Sequence, residues 1–201
     1  MTFSKLFSIG FLLTICFTLN AQNQWGLTIG SLLTNTKITT FPDNPAYSSG
    51  LKPHIGLQIG GYYRHNIKNF DLGVRTNYEI KGYRQSNSNS GKTDNINLNY
   101  WTVTPNIGYT FHQRLRLSMG VNGDFYLPKQ NDNISYKQIV TSVVFQIGYV
   151  TPYGTVQLGY STGRSAFLSQ KYTGGTLQYN RNTASLFFDI PLSLKRKLQI
   201  K

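Results

Sequence analysis

Eight stretches of alternating polarity follow one another along this chain, each bounded by turn residues, and they leave it few folds to choose from. A period of two places successive side chains on opposite faces of a strand. The first stretch runs from Gln24 to Leu33, with Trp25, Leu27, Ile29 and Leu33 in phase. The second covers His54 to Arg64 (Ile55, Leu57, Ile59, Tyr63) and the third Phe70 to Tyr83. In the third, Leu72, Val74, Tyr78 and Ile80 oppose Asp71, Arg75, Asn77, Glu79 and Lys81. The fourth spans about Ile96 to Phe111, the fifth Leu115 to Leu127, the sixth about Gln138 to Val150 and the seventh Thr155 to Phe167. The eighth spans about Leu177 to Leu192, and its halves disagree in parity near Arg181-Asn182, which predicts a bulge or a late strand start there. The stretches are roughly 10 to 16 residues long, where a tilted membrane strand needs about 9 to 11. Soluble strands are usually about 5 to 6 residues.

The connections alternate in length. Thr34–Pro53, Arg84–Asn95, Pro128–Lys137 and Leu168–Thr176 are long and rich in Asn, Ser, Gly and Lys; His65–Asn69, His112–Arg114 and Thr151–Gly154 are short. That order matches an outer-membrane barrel with short periplasmic turns and longer outside loops. Aromatic residues gather at the stretch ends. Trp25, Tyr63, Phe70, Tyr109, Phe111, Tyr149, Tyr153 and Phe188 fall on the expected periplasmic side. Tyr83, Tyr100, Trp101, Phe125, Tyr126, Phe167 and Tyr179 fall on the expected outer side, as interfacial girdles would.

Ahead of these stretches, Lys5 precedes an apolar run from Leu6 to Leu19, then Asn20-Ala21, the pattern of a secretory signal peptide cleaved after Ala21. A lipoprotein reading at Leu13-Thr14-Ile15-Cys16 meets bulky Ile15 where a small residue is expected. The expected organisation is therefore a signal peptide over 1–21, a barrel over 22–194 and a basic tail over 195–201. No other apolar stretch approaches the roughly 20 residues of a membrane helix. A membrane location then demands a closed barrel, because lipid offers no partner for an open sheet edge. The fold class predicted is all-β: an eight-stranded antiparallel up-and-down transmembrane barrel.

Periodicity does not say which face points inward, and a soluble lipocalin-like barrel that binds a small ligand is the rival. Two observations favour an apolar exterior. The polar faces carry many small residues that suit a crowded lumen, among them Gly60, Gly108 and Gly159, and the opposite faces carry almost no charge. Arg75, Glu79, Lys81, Arg116, Asp124 and Asp189 then point inward, where they must pair, for instance Glu79 or Asp124 with a neighbouring Arg or Lys. They would plug a lumen that eight strands leave room to fill with side chains.

Only 13% of residues are charged, yet the formal net charge is +13. A balance this basic either meets polyanions or rests on solvated loops. Lys37, Lys52, Arg84, Lys92, Lys129, Lys137, Arg164, Lys171 and Arg181 lie in or near the outer loops. Of these, Lys37, Arg84, Lys92, Lys129, Arg164 and Lys171 are the candidate contacts for lipopolysaccharide phosphate. Nucleic acid is an unsuitable partner for an exported chain without a recognisable module. Cys16 lies in the leader, so the mature chain has no thiol to use. His54, His65 and His112 share no metal-binding spacing. No cofactor, metal or catalytic residue is expected; His54, nearest the outer leaflet, is the one candidate for lipid-modifying chemistry.

Several segments carry a family resemblance: Asp71-Leu-Gly-Val-Arg-Thr-Asn-Tyr-Glu-Ile-Lys-Gly82, Asn99-Tyr-Trp-Thr-Val-Thr-Pro105, Leu117-Ser-Met-Gly-Val-Asn-Gly123 and Phe145-Gln-Ile-Gly-Tyr149. Together they resemble the small outer-membrane β-barrel domain of Bacteroidetes-type bacteria often described as PorT-like. The chain departs from such barrels in ending on Ile200-Lys201, with Phe188 well upstream, where an aromatic residue often closes the last strand. The resemblance implies an outer-membrane protein without catalytic residues, in a family some of whose members are linked to protein secretion and gliding. The function expected is a structural or interaction role of a monomeric barrel in envelope integrity, adhesion or support of secretion machinery. Its partners would be outer-membrane lipid, lipopolysaccharide and envelope proteins.

Overall fold

The structure, a computed structural model, describes residues 22–41, 51–86, 93–128, 138–163, 166–172 and 175–192. The leader and the basic tail lie outside the described residues. The strands are β1 (Gln22–Phe41), β2 (Leu51–Lys52), β3 (His54–Ile67), β4 (Phe70–Ser86), β5 (Thr93–Phe111), β6 (Leu115–Leu127), β7 (Ile139–Thr151), β8 (Gly154–Thr162), β9 (Leu168–Tyr172) and β10 (Gly175–Pro191). Eight of them form one antiparallel ring, β1-β3-β4-β5-β6-β7-β8-β10, with β10 returning to β1. The short β2 and β9 lie on β4 and β10 at the end of the ring that carries the long connections.

The alternation read from the sequence decides the sense of the wall. Ile55, Leu57 and Ile59 are 72%, 63% and 58% exposed, whereas Arg75, Lys81 and Asp189 are 4%, 2% and 0% exposed. The same division holds round the ring: Leu27, Val74, Met119, Phe145, Leu158 and Leu186 face out while Thr28, Asn77, Thr104, Asn122 and Gln157 are buried. A soluble barrel would expose the second set and bury the first. The apolar exterior on a closed ring of strands is that of a transmembrane β-barrel. The lipocalin-like sense of the wall is thereby overturned.

The strands run further than the alternation alone indicated. β1 continues past Leu33 to Phe41 and β4 past Tyr83 to Ser86, so part of each of these two long connections is strand. The bulge expected near Arg181-Asn182 is not on β10, whose register with β1 runs unbroken from Gly26↔Pro191 to Phe41↔Thr176. The slip falls on its other neighbour: β10 pairs with β8 as far as Asn182↔Thr162 and with β9 from Tyr179↔Leu168. The parity break has a packing cause. Near the loop end the lumen becomes apolar, filled by Tyr83, Leu98, Tyr100, Val140, Phe167 and Leu168, with Tyr179 and Tyr126 packed against them. Apolar residues thus sit inside at this end and outside below it.

This cluster also corrects the outer girdle. Tyr83, Tyr100 and Phe167 are buried in the lumen, and of the expected outer set Trp101 and Phe125 face outward. At the turn end Trp25, Tyr63, Phe70, Phe111, Tyr149 and Tyr153 are exposed on the outside. Tyr109 stacks edge-on against Phe70 at 4.8 Å and Phe111 at 4.5 Å. The turns there are tight, with Lys68, His112 and Gln113 at φ 57°, 44° and 61°, the left-handed geometry that short hairpin loops demand.

Two substitutions test this arrangement. Ile59→Arg, on the outward face opposite Ile29, is expected to lower folding stability in lipid vesicles by about 2–4 kcal/mol, the cost of a cation near mid-bilayer, as read from urea titration. An exposed position on a soluble barrel would change by about 0.5 kcal/mol or less. Tyr100→Ala, inside the loop-end cluster, is expected to cost about 3–5 kcal/mol in the same titration, the range of large aromatic truncations.

Candidate functional site

The lumen holds two tiers of ion pairs. In the tier towards the turns, Asp189 on β10 accepts hydrogen bonds from Thr28 Oγ1 on β1 (2.7 Å), Arg75 Nη2 on β4 (3.0 Å), Arg64 on β3 and Gln157 on β8. One carboxylate thus ties strands from both sides of the β1–β10 seam. Beside it, Arg116 on β6 forks onto Asp71 on β4, with Nε at 2.9 Å and Nη2 at 2.5 Å. Arg116 Nη1 also donates to Ser118 Oγ at 2.9 Å and to Gln157 Oε1 at 3.1 Å, so Gln157 joins the two carboxylates' networks. Asp71 and Arg116 lie on β4 and β6 and meet across Gly108 of β5. A Cβ there would stand 2.5 Å from Asp71 Oδ2 and 2.6 Å from Arg116 Nη2, so only glycine leaves room for this pair.

In the tier towards the loops, Lys81 Nζ lies 2.5 Å from Glu79 and 2.8 Å from Asp124. Asp124 also accepts from Arg181 Nη2 on β10 at 2.7 Å and from Thr102 Oγ1 on β5 at 2.9 Å. The Arg181 guanidinium lies over the Tyr100 ring at 4.4 Å and the Phe167 ring at 5.3 Å, which couples this tier to the aromatic cluster above it. Between the tiers is a cavity of about 30 Å³ lined by residues that include Arg75, Asn77, Glu79, Lys81, Gln146 and Phe187. A space of that size holds about one or two waters. The interior offers a small apolar ligand no room at this level.

All six residues predicted to face inward, Arg75, Glu79, Lys81, Arg116, Asp124 and Asp189, are buried in these tiers. Three partners stood outside that set. Asp71 was on the polar face of its strand, and Arg64 shares the parity of Gln58 and Tyr62, so alternation carried both signals. Arg181 is corrected from a rim cation to a luminal one, 7% exposed and bound to Asp124. Its strand changes character at that point, which hid its direction.

Among the lipopolysaccharide candidates, Lys37 on β1 and Arg84 on β4 are exposed at the loop end. Lys171 lies on β9, and Lys92, Lys129 and Arg164 lie outside the described residues. His54, only 6% exposed, donates from Nε2 to Asn97 Oδ1 at 2.6 Å. His65 donates from Nδ1 to Asn23 Oδ1 at 2.8 Å, and His112 occupies a turn, so structure separates the three.

No protein-family model matches the sequence, and no curated protein matches it. Solved structures do. The barrel superposes on the outer membrane protein OprG from Pseudomonas aeruginosa with a TM-score of 0.51 at 8% identity, over 84% of this chain and 91% of that one. Ail, the attachment invasion locus protein of Yersinia pestis, in complex with the heparin analogue sucrose octasulfate, aligns with a TM-score of 0.45 at 14% identity, over 85% and 99%. Neisserial surface protein A gives 0.42 at 11% identity, over 85% and 98%. At such identities the likeness is one of fold, and the OprG superposition supports it.

The hub at Asp189 makes a direct test. Asp189→Ala leaves Arg64 and Arg75 buried without that carboxylate and is expected to destabilise the barrel by about 3–5 kcal/mol. Replacing Asp189, Arg64 and Arg75 together by Leu is expected to recover most of that loss, because an apolar filling often matches a buried ion triad. The temperature at which the folded band converts on a detergent gel reads both.

Proposed function

We propose that this protein is a non-enzymatic outer-membrane barrel whose task is mechanical and interfacial: a filled, rigid anchor that presents its loop end to the outside. The observation that carries this reading is the inversion of the wall, apolar outside and ion-paired inside, on a closed ring. A lumen occupied by Asp189, Asp71, Asp124 and their cations is built to be solid rather than to admit a substrate. In this reading residues 1–21 direct export and are removed after Ala21, the short turns face the periplasm, and the barrel works as a monomer. The segments around Asp71–Gly82 and Asn99–Pro105 support membership of the PorT-like domain family, and with it a role in envelope integrity, adhesion or support of secretion machinery. The excess of cations at the loop end supports contact with lipopolysaccharide.

Envelope fractionation followed by gel electrophoresis with and without heating tests the reading. The expected result is a band in the outer-membrane fraction whose mobility changes on boiling. A soluble periplasmic band of constant mobility would refute it. In planar bilayers the folded barrel is expected to give no steady conductance, and a sustained ohmic current would refute the solid anchor.

A further inference from the structure

The distribution of acids makes the exterior of the loop end a place for anions. The chain has 7 acidic residues against 20 Lys and Arg. Asp71, Glu79, Asp124 and Asp189 are consumed by the lumen, where they pair with Arg64, Arg75, Lys81, Arg116 and Arg181. Asp43, Asp94 and Asp132 are left for everything else. Almost all of the net charge of +13 therefore lies outside the lumen.

Three of the outside cations lie at the loop end of the wall, on β1, β2 and β4. Lys37 of β1, Lys52 of β2 and Arg84 of β4 are exposed. Lys52 and Arg84 are direct cross-strand partners. Their Cβ atoms are then about 4.5–5.5 Å apart, and like charges so placed repel. Arg84 is held there by donating Nε to the Pro53 carbonyl at 2.8 Å. Asp94 pairs with Gln85, so it alternates to the face opposite Arg84. No ion pair within the described residues neutralises any of the three.

Beside them the wall parts. The ladder of β1 with β3 ends at Thr34↔His54, and β2 pairs with β4 instead. The parting leaves a cleft of about 330 Å³ lined by Asn35, Thr36, Lys37, Ile38 and Leu51. Asn35 and Lys37 thus bring an amide and an ammonium to the outward side of this cleft, with Lys52 and Arg84 on the adjoining strands. Directly below, the outward face is the apolar belt of Leu33, Ile55 and Leu57.

We propose that the outer rim at this cleft binds a phosphate of a membrane glycolipid, with Lys37 of the cleft and Lys52 and Arg84 of the adjoining strands as the cations for its oxygens and the acyl chains lying on the belt below. The proposal rests on the outer-membrane reading above and adds the site and its ligand chemistry. An anion between Lys52 and Arg84 removes a repulsion that the fold otherwise leaves standing, and the belt fixes the headgroup level at this rim.

The test uses the full mature chain in phosphatidylcholine nanodiscs containing a minor fraction of bisphosphorylated or dephosphorylated lipid A, with retained lipid measured by native mass spectrometry. Wild-type protein is expected to retain the phosphorylated form in a salt-sensitive manner and not the dephosphorylated one. Lys37→Gln, Lys52→Gln and Arg84→Gln combined are expected to weaken retention roughly a hundredfold, each cation contributing a factor of about five. Lys68→Gln with Arg114→Gln, at the turn end, is expected to change nothing. Equal retention of the dephosphorylated lipid, unchanged retention by the triple variant, or an equal loss in the turn-end variant would overturn the proposal. Complete displacement of lipid A by inorganic phosphate would overturn the lipid as its occupant. A heat-dependent gel shift retained in wild type and triple variant keeps the barrel reading intact in each case, whereas its absence from wild type refutes that reading first.

Discussion

Every backbone amide of a sheet that faces lipid must find a partner within the sheet, because the hydrocarbon offers none. In this protein that requirement converges on the seam between β1 and β10, the strands furthest apart in the chain, whose register runs unbroken from Gly26↔Pro191 to Phe41↔Thr176. Asp189 sits on that seam. It is taken by Thr28 from one side and by Gln157 from the other, while Arg64 and Arg75 reach it across the lumen. Ring closure and lumen filling are therefore one problem. Most of the barrel's large apolar side chains face lipid, so below the aromatic cluster at the loop end a buried ion network specifies how the strands meet.

That solution has an electrostatic consequence. The lumen draws on most of the chain's few carboxylates, and its own cations nearly balance them. The exterior is left basic, and its excess appears at the loop end in Lys37, Lys52 and Arg84. A strongly positive rim above an apolar belt fits a membrane surface rich in phosphate. The same placement of acids that nearly balances the interior leaves the exterior basic.

The lumen is not uniform along its axis. Towards the turns it is polar and hydrogen-bonded through Asp189, Asp71 and Arg116. Towards the loops it becomes an aromatic plug in which Arg181 stacks on Tyr100 and Phe167. The transition explains the two places where period-two reasoning went astray. Tyr83, Tyr100 and Phe167 resemble girdle residues in sequence because they lie near strand ends, yet they occupy the inner face. Arg181 resembles a rim cation because apolar and polar positions exchange faces beside it.

Strand number, the alternation of long and short connections, and the membership of each face were legible in the sequence, because a strand repeats every two residues whatever it packs against. Arg75, Glu79, Lys81, Arg116, Asp124 and Asp189 could be placed on one face from parity alone. Parity does not determine which face is inside, because a lipid-facing and a water-facing barrel share the same period; the closed ring, with its apolar residues exposed, decided that. Nor does it determine which charges meet. Asp71 reaches Arg116 across Gly108, and Asp189 gathers Arg64 and Arg75 from strands more than a hundred residues away in the chain. Such contacts depend on strand tilt, register and the width of the lumen, which exist only after the ends of the sheet have met.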